Sequence, residues 1–214
     1  MTSVVRPYRG VSAEDRLTER RARLKEAGLD TIGEAGVAAV NVVAVCGRAG
    51  LSKRYFYESF SNRDALLHEA MDDFFTEVYA EILDAIGSHE RTPEVRAHLI
   101  AGTLIDFLRR DARRARLYVE SAGHPPLQSR REAAFELFTR LLVDAFPIES
   151  ASPDSPEGAV LDRRRSLAAL IVVAGTTQAA TSWLQGRIEL RKDDVVDEIA
   201  HAILAAFAPR RPGI

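Results

Sequence analysis

An all-α fold of about nine helices follows from three features of the 214-residue sequence. No segment alternates apolar and polar side chains at the two-residue period of a half-buried strand. Several long stretches instead repeat apolar residues at intervals of three and four. Between residues 36 and 67, two short helical segments flank a glycine turn. With 46% hydrophobic and 28% charged residues, the composition is that of a folded globular chain and not of a disordered tail or a fibre.

The elements can be justified in order. The first ten residues carry Arg6, Pro7 and Arg9 and lack the apolar run of a secretory signal, so residues 1–12 read as a flexible arm. A first helix is expected over Ala13–Ala35, with Arg16, Arg20, Arg21 and Arg23 crowding its start. Gly28 and Gly33 lie inside it. Each costs about 1 kcal/mol against alanine in a helix interior, which predicts a kink or a soft stretch. Asn41 caps a short helix over Val42–Arg48 that turns Val42, Val45 and Cys46 inward. Gly50 supplies the left-handed turn, and Ser52 caps a second helix ending near Ser59.

The longest amphipathic stretch, Asp64–Ile86, places Leu67, Met71, Phe74, Phe75, Val78, Ile82 and Ile86 on one face and is about six turns long. Helices over Glu94–Arg110 and Asp111–Ala122 follow, until Gly123-His124-Pro125-Pro126 breaks the chain. Leu127–Phe146 resumes the helical period, and Ile148–Gly158, rich in Ser and Pro, reads as an exposed loop. The stretch Val160–Gly186 is apolar on every face from Leu167 to Ala174, so it is buried or shared with a partner. The last helix, Asp193–Phe207, starts at a cap on Asp193 or Asp194 and carries a wide apolar stripe through Ile199, Ile203 and Phe207.

Charge is uneven. Residues 1–64 hold 11 Lys and Arg against 8 Asp and Glu, whereas residues 65–214 hold 18 against 23. A basic head on an acidic body is compatible with an anion-binding N-terminal module or with an ordinary solvated surface. The single cysteine, Cys46, excludes a disulfide framework and a cysteine zinc cluster, and a cytoplasmic address follows by default. The longest wholly apolar run, Ala168–Gly175, is too short to cross a bilayer, so no membrane partner is expected. The five histidines lie in separate segments without metal-ligand spacing, and Cys46 is inward-facing. No catalytic residue, metal or cofactor is therefore assigned, and an enzyme is not expected.

The paired helices about Gly50 read as a helix-turn-helix, in which the start of the second helix enters the DNA major groove. Gly36, Asn41, the Ala49-Gly50-Leu51 turn, Tyr57, Phe60, Arg63, Asp64 and Leu66-Leu67 together resemble the DNA-binding domain of the TetR family of transcriptional regulators over roughly Leu17–Met71. Three departures stand out: Asn41 in place of the usual Thr or Ser, Cys46 in place of Ala, and the two glycines of the first helix. The resemblance implies a DNA-binding domain at 13–63 and a ligand-binding and dimerisation domain at 64–214. It further implies that Asn41, Val42, Ser52, Lys53, Arg54, Tyr55 and Tyr57 meet operator DNA and that Arg63 binds phosphate. Phe56 and Phe60 read as core, and the basic residues of the arm and first helix read equally as minor-groove contacts or as a solvated helix start.

By the same resemblance the chain is a homodimer on a near-palindromic operator, most simply a repressor released by a small lipophilic or aromatic molecule. Its interface is expected from Leu167, Leu170, Ile171, Ala174, Ile199, Ile203 and Phe207, against the alternative of a wholly intramolecular core. Residues with polar tips on apolar faces, or rings among them, form the candidate pocket: Tyr79, Thr103, Phe107, Tyr118, His124, Phe138, Thr177 and Trp183. The competing function is a helical regulator that works through protein partners without an operator. Lys53 and Arg54, two cations directly after the turn, speak against it.

Overall fold

The computed structural model describes residues 12–87, 92–147 and 156–208. Their elements are α1 (Ala13–Ala35), a 3-10 turn (Val37–Ala39), α2 (Val42–Ala49), α3 (Lys53–Ser59), α4 (Arg63–Ile86), α5 (Pro93–Arg110) and α6 (Ala112–Ser121), followed by a second 3-10 turn (Pro125–Leu127), α7 (Gln128–Ala145), α8 (Pro156–Leu184) and α9 (Lys192–Phe207). No strand occurs among the described residues.

Most helix starts are set by side chains that take up first-turn N–H groups. Ser12 and Asp15 form a reciprocal capping box at α1. Asn41, Ser52, Asn62, Thr92 and Asp111 cap α2 to α6 in turn. Two expectations need correction. Helix α8 begins at Pro156 and so absorbs the end of the expected loop, proline being suited to a first helical position; the rest of that loop lies outside the described residues, as do residues 1–11 of the arm. Helix α9 has no side-chain cap, because Asp194 instead pairs with Arg191 at 2.7 Å, one turn back.

The core runs without a break from Leu24, Ile32, Val45 and Phe56 through Leu67, Met71 and Phe74 to Ile105, Leu108 and Leu117. Burying each such side chain contributes about 1.5–3 kcal/mol. The head is α1 to α3 and the body is α5 to α9. Helix α4 belongs to both, so the border expected at residue 63 falls in its first turn, where the packing is continuous. In the body α5 lies along α9 and α7 along α8.

The glycines of α1 are close-approach sites, which corrects the expected softness. A Cβ on Gly28 would sit 2.8 Å from a methyl of Leu66 on α4, and one on Gly33 would sit 2.6 Å from Cγ of Arg113 on α6. The helix is unbroken across both. Two side chains are missing so that α4 and α6 can reach the backbone of α1, and the propensity lost is offset by packing between head and body.

Candidate nucleic-acid interface and internal cavity

Helices α2 and α3 are held at an angle by a single residue. Gly50 adopts φ 64, ψ 34, a left-handed conformation that closes α2, and Leu51 N–H then donates to Cys46 O at 3.0 Å. Cys46 and Val45 are buried beneath the turn, and burial pushes the Cys46 thiol up, away from a nucleophilic thiolate. On α3, Phe56 and Ser59 point inward while Lys53, Arg54, Tyr55 and Tyr57 are exposed. Asn41 and Ser52, both exposed, use their side-chain oxygens as caps, and Val42 is half-buried at the start of α2.

The exposed side chains are not equally free. Lys53 has no carboxylate partner among the described residues. Arg54 meets only Glu58, four residues on, at 2.9 Å and in water, a pair worth little. Tyr57 projects outward with its ring edge against Phe56. Tyr55 is covered on one face by the guanidinium of Arg20, 4.5 Å from its ring centroid, which leaves its edge to the solvent.

Arg63 is turned away from this surface. It donates to Val37 O at 3.1 Å and lies 3.2 Å from Nε2 of His124, with its Nε buried and unpaired. The expected phosphate contact is therefore replaced by a bolt between the head and the α6–α7 turn, because Arg63 starts α4 at the point where three elements meet. Three of the four arginines at the start of α1 are likewise turned to the protein. Arg20 reaches Glu58, Arg21 pairs with Glu69, and Arg23 donates to Ala49 O at 2.7 Å, so all three are struts inside the head.

A denser set of contacts joins α6 to α1. Arg113 bonds Asp111, Asp30 and Glu26, and Arg116 reaches Gly33 O at 3.1 Å. Glu120 accepts from Val37 N–H at 2.7 Å and from Arg116 at 2.6 Å. Burial raises the Glu120 carboxyl, but hydrogen bonds from Arg116 and Val37 outweigh it and hold the group below its usual value. None of these contacts was read from the sequence.

The same helix α6 lends its buried Tyr118 to the wall of an internal cavity of about 70 Å³ in the body. Of the eight residues proposed from sequence, Tyr118, Phe138 and Thr177 line this cavity. The rest lie elsewhere. Tyr79 packs behind Phe138, with ring centroids 5.9 Å apart. Phe107 is buried against the far side of Phe74, and Thr103 faces an outer cleft beside Asp106. His124 belongs to the head junction, and Trp183 donates its indole N–H to Leu190 O at 2.9 Å near the end of α8. The sequence reading missed Phe74, Phe75 and Phe135 as wall residues, and Arg131 at the margin. The helical period had placed the first two on the inner face of α4, the only signal available.

Helix α8 presents Leu167, Leu170, Ile171 and Ala174 to solvent, with Ile171 63% and Leu167 58% exposed. Spaced three and four apart, they form one stripe. By length and a mean hydropathy of 1.4, α8 meets the composition of a membrane-crossing helix, with 22% of its apolar window buried. Its other side packs on α7, α9 and α6 as part of the bundle. Ile199 and Ile203, expected beside this stripe, are only 5% and 2% exposed because α9 turns them inward, towards α5 and the cavity. Phe207 stacks on Phe146, their ring centroids 5.0 Å apart. Ile199 still borders a shallow groove beside the stripe, together with Glu198, Ala202 and Ala205 of α9.

Exposed cations and tyrosines on the second of two helices crossed at a left-handed glycine, mounted on an all-helical body, define a helix-turn-helix DNA-binding regulator. Residues 24–70 match the model of the bacterial regulatory proteins, tetR family. Most of the chain shares its fold with solved regulators. A tetR-family transcriptional regulator from Streptomyces coelicolor is 16% identical, with 88% of this chain and 80% of that one covered at a TM-score of 0.68. A TetR-like transcriptional regulator from Rhodococcus sp. RHA1 is 17% identical, covering 89% and 97% at 0.61. The fatty acid degradation regulator FadR from Bacillus halodurans is 14% identical, covering 86% and 97% at 0.65. No curated protein matches.

Proposed function

We propose that the chain is a ligand-responsive, sequence-specific regulator in the cytoplasm, a homodimeric repressor that leaves a near-palindromic operator when a lipophilic or aromatic molecule enters the body. The observation that carries this reading is the double duty of α6. One ten-residue helix supplies Tyr118 to the cavity wall and Arg113, Arg116 and Glu120 to the head. A guest that displaces Tyr118 therefore pushes on the same rigid element that fixes α1. To weaken DNA binding a hundredfold, the guest must favour the displaced state by about 2.7 kcal/mol.

Lys53, Arg54, Tyr55 and Tyr57 support the DNA contact, with Asn41, Val42 and Ser52 presenting the two helix starts. The stripe of Leu167, Leu170, Ile171 and Ala174 supports the homodimer, since burying it against a second copy removes an apolar face that one chain leaves in water. Two heads then stand to read half-sites about 34–36 Å apart. Val172, Thr176 and Ile199 line both the cavity and the partner-facing groove, which ties cavity shape to the pairing of subunits.

Selection of bound fragments from the organism's own DNA, at two salt concentrations and with Lys53→Ala/Arg54→Ala alongside, tests the reading. The expected result is a near-palindrome whose binding weakens steeply with salt and is lost in the double variant. Lack of enrichment over random DNA at low salt would overturn operator binding by the free protein and turn attention to a protein partner.

A further inference from the structure

We infer that the guest of the body cavity is an uncharged ring compound, and that the cavity rejects a carboxylate or an ammonium group; this rests on the proposed ligand response. The wall is made of hydrocarbon and rings. Phe74 and Tyr118 stack with centroids 5.4 Å apart, Phe75 meets Phe138 edge-on at 6.2 Å, and Phe135 closes the margin. Such faces and edges suit the flat faces and edges of another ring, which is larger than the ~70 Å³ of empty space and therefore enters by displacing Tyr118.

Among the described residues no acidic side chain lines the cavity, so a cation has no counter-charge there. The one basic residue among them, Arg131, is held as part of the frame. Its Nη1 donates to Ser121 Oγ at 2.9 Å and to Tyr118 O at 3.3 Å. Its guanidinium lies 5.8 Å from the ring centroids of both Tyr118 and Phe135, a position that fixes the two rings. Tyr118 and Thr177 lie on the same wall. Beyond these contacts the wall offers a carboxylate only the Thr176 hydroxyl and the remaining N–H groups of Arg131, fewer partners than the water it gives up, whereas a neutral hydroxyl needs only one.

The test uses the full-length protein and two matched pairs, 2-naphthol with 2-naphthoate and decanol with decanoate, by calorimetric titration and thermal shift at pH 7. The expectation is that 2-naphthol binds and raises Tm, that 2-naphthoate binds at least ~30-fold more weakly, and that Arg131→Met, which keeps the hydrocarbon stem, leaves the preference for the neutral partner in place. Val173→Trp, which fills the cavity, removes 2-naphthol binding. If this variant fails to fold, the smaller filling variant Ala134→Leu, at another wall position, is expected to weaken 2-naphthol binding instead. A preference for naphthoate or decanoate that Arg131→Met abolishes would overturn the inference by making Arg131 an anion anchor, while the ligand reading stands. Tighter binding of decanol than of 2-naphthol would overturn the ring preference alone. Binding of none of the four would overturn both the inference and the cavity as the effector site.

Discussion

Helices α3 and α8 each leave several large side chains in water, and they do so with opposite chemistry. On α3 the exposed residues are two cations, two tyrosines and Glu58, which pairs with Arg54 and Arg20, above a buried Phe56. On α8 they are aliphatic, and the nearest cation on the groove is Arg164. Neither surface is a packing failure, since Phe56, Ala169, Val172 and Val173 bury the opposite sides of the same helices. The contrast indicates what each surface excludes. A cationic surface with hydrogen-bonding rings favours a phosphate backbone, whose counterions it releases. An aliphatic stripe of small and branched residues gains only by meeting another apolar face.

The sharpest way to break this comparison is to charge α8. Leu167→Glu with Ile171→Glu is expected to give a monomer in light scattering and to lower operator affinity by ~100-fold or more, because one head holds only one half-site. A dimer that survives would separate the stripe from assembly. Next in size is α3. Lys53→Ala and Arg54→Ala are each expected to cost about 1–3 kcal/mol of operator binding and to flatten its salt slope by about one. Arg63→Ala should leave that slope unchanged and lower thermal stability instead, because Arg63 bonds Val37 O and His124 and does not face the DNA-binding surface.

The seam between head and body gives smaller effects. Gly28→Val is expected to destabilise the fold by about 1–3 kcal/mol in urea titration, since Leu66 already stands 2.8 Å from the new Cβ. Smallest is a pH effect. Burial, then the charge of Arg63, lowers the basicity of His124, which titrates near 6.5 when unperturbed. A base that takes its proton less readily when folded contributes stability fully above that pH, and loses it as pH falls through the unfolded value. Melting temperature should therefore dip modestly between pH 7.5 and 5.5, and His124→Gln should remove part of that dip.

Much of the head was legible because its signals are local. A cap, a positive-φ glycine and a second cap lie within twelve residues, and no distant contact can move them. Asn41, Gly50 and Ser52 stand as the spacing required. Arg63 was misread for the complementary reason. Its place at a helix start is a local fact, whereas the direction of its guanidinium depends on His124, sixty-one residues away. The cavity suffered most. Polar tips on apolar faces identified Tyr118 and Thr177 but equally Thr103, which lies on the outer side of α5. A helical period gives the inner face of each helix, yet which inner faces leave a gap between them is fixed only by packing.

The sequence by itself determined the helices, their caps and the head, since these depend on hydrogen bonds and periodicities that span a few residues. It also marked α8 as a helix with more apolar surface than its own fold could use. Tertiary structure alone decided that Gly28 and Gly33 are contacts and not weak points, that α6 serves both the cavity and α1, and that Ile199 and Ile203 face inward while Ile171 faces out. Those outcomes depend on how helices distant in sequence share one core, where volume and close approach select among faces that are equally apolar in the sequence.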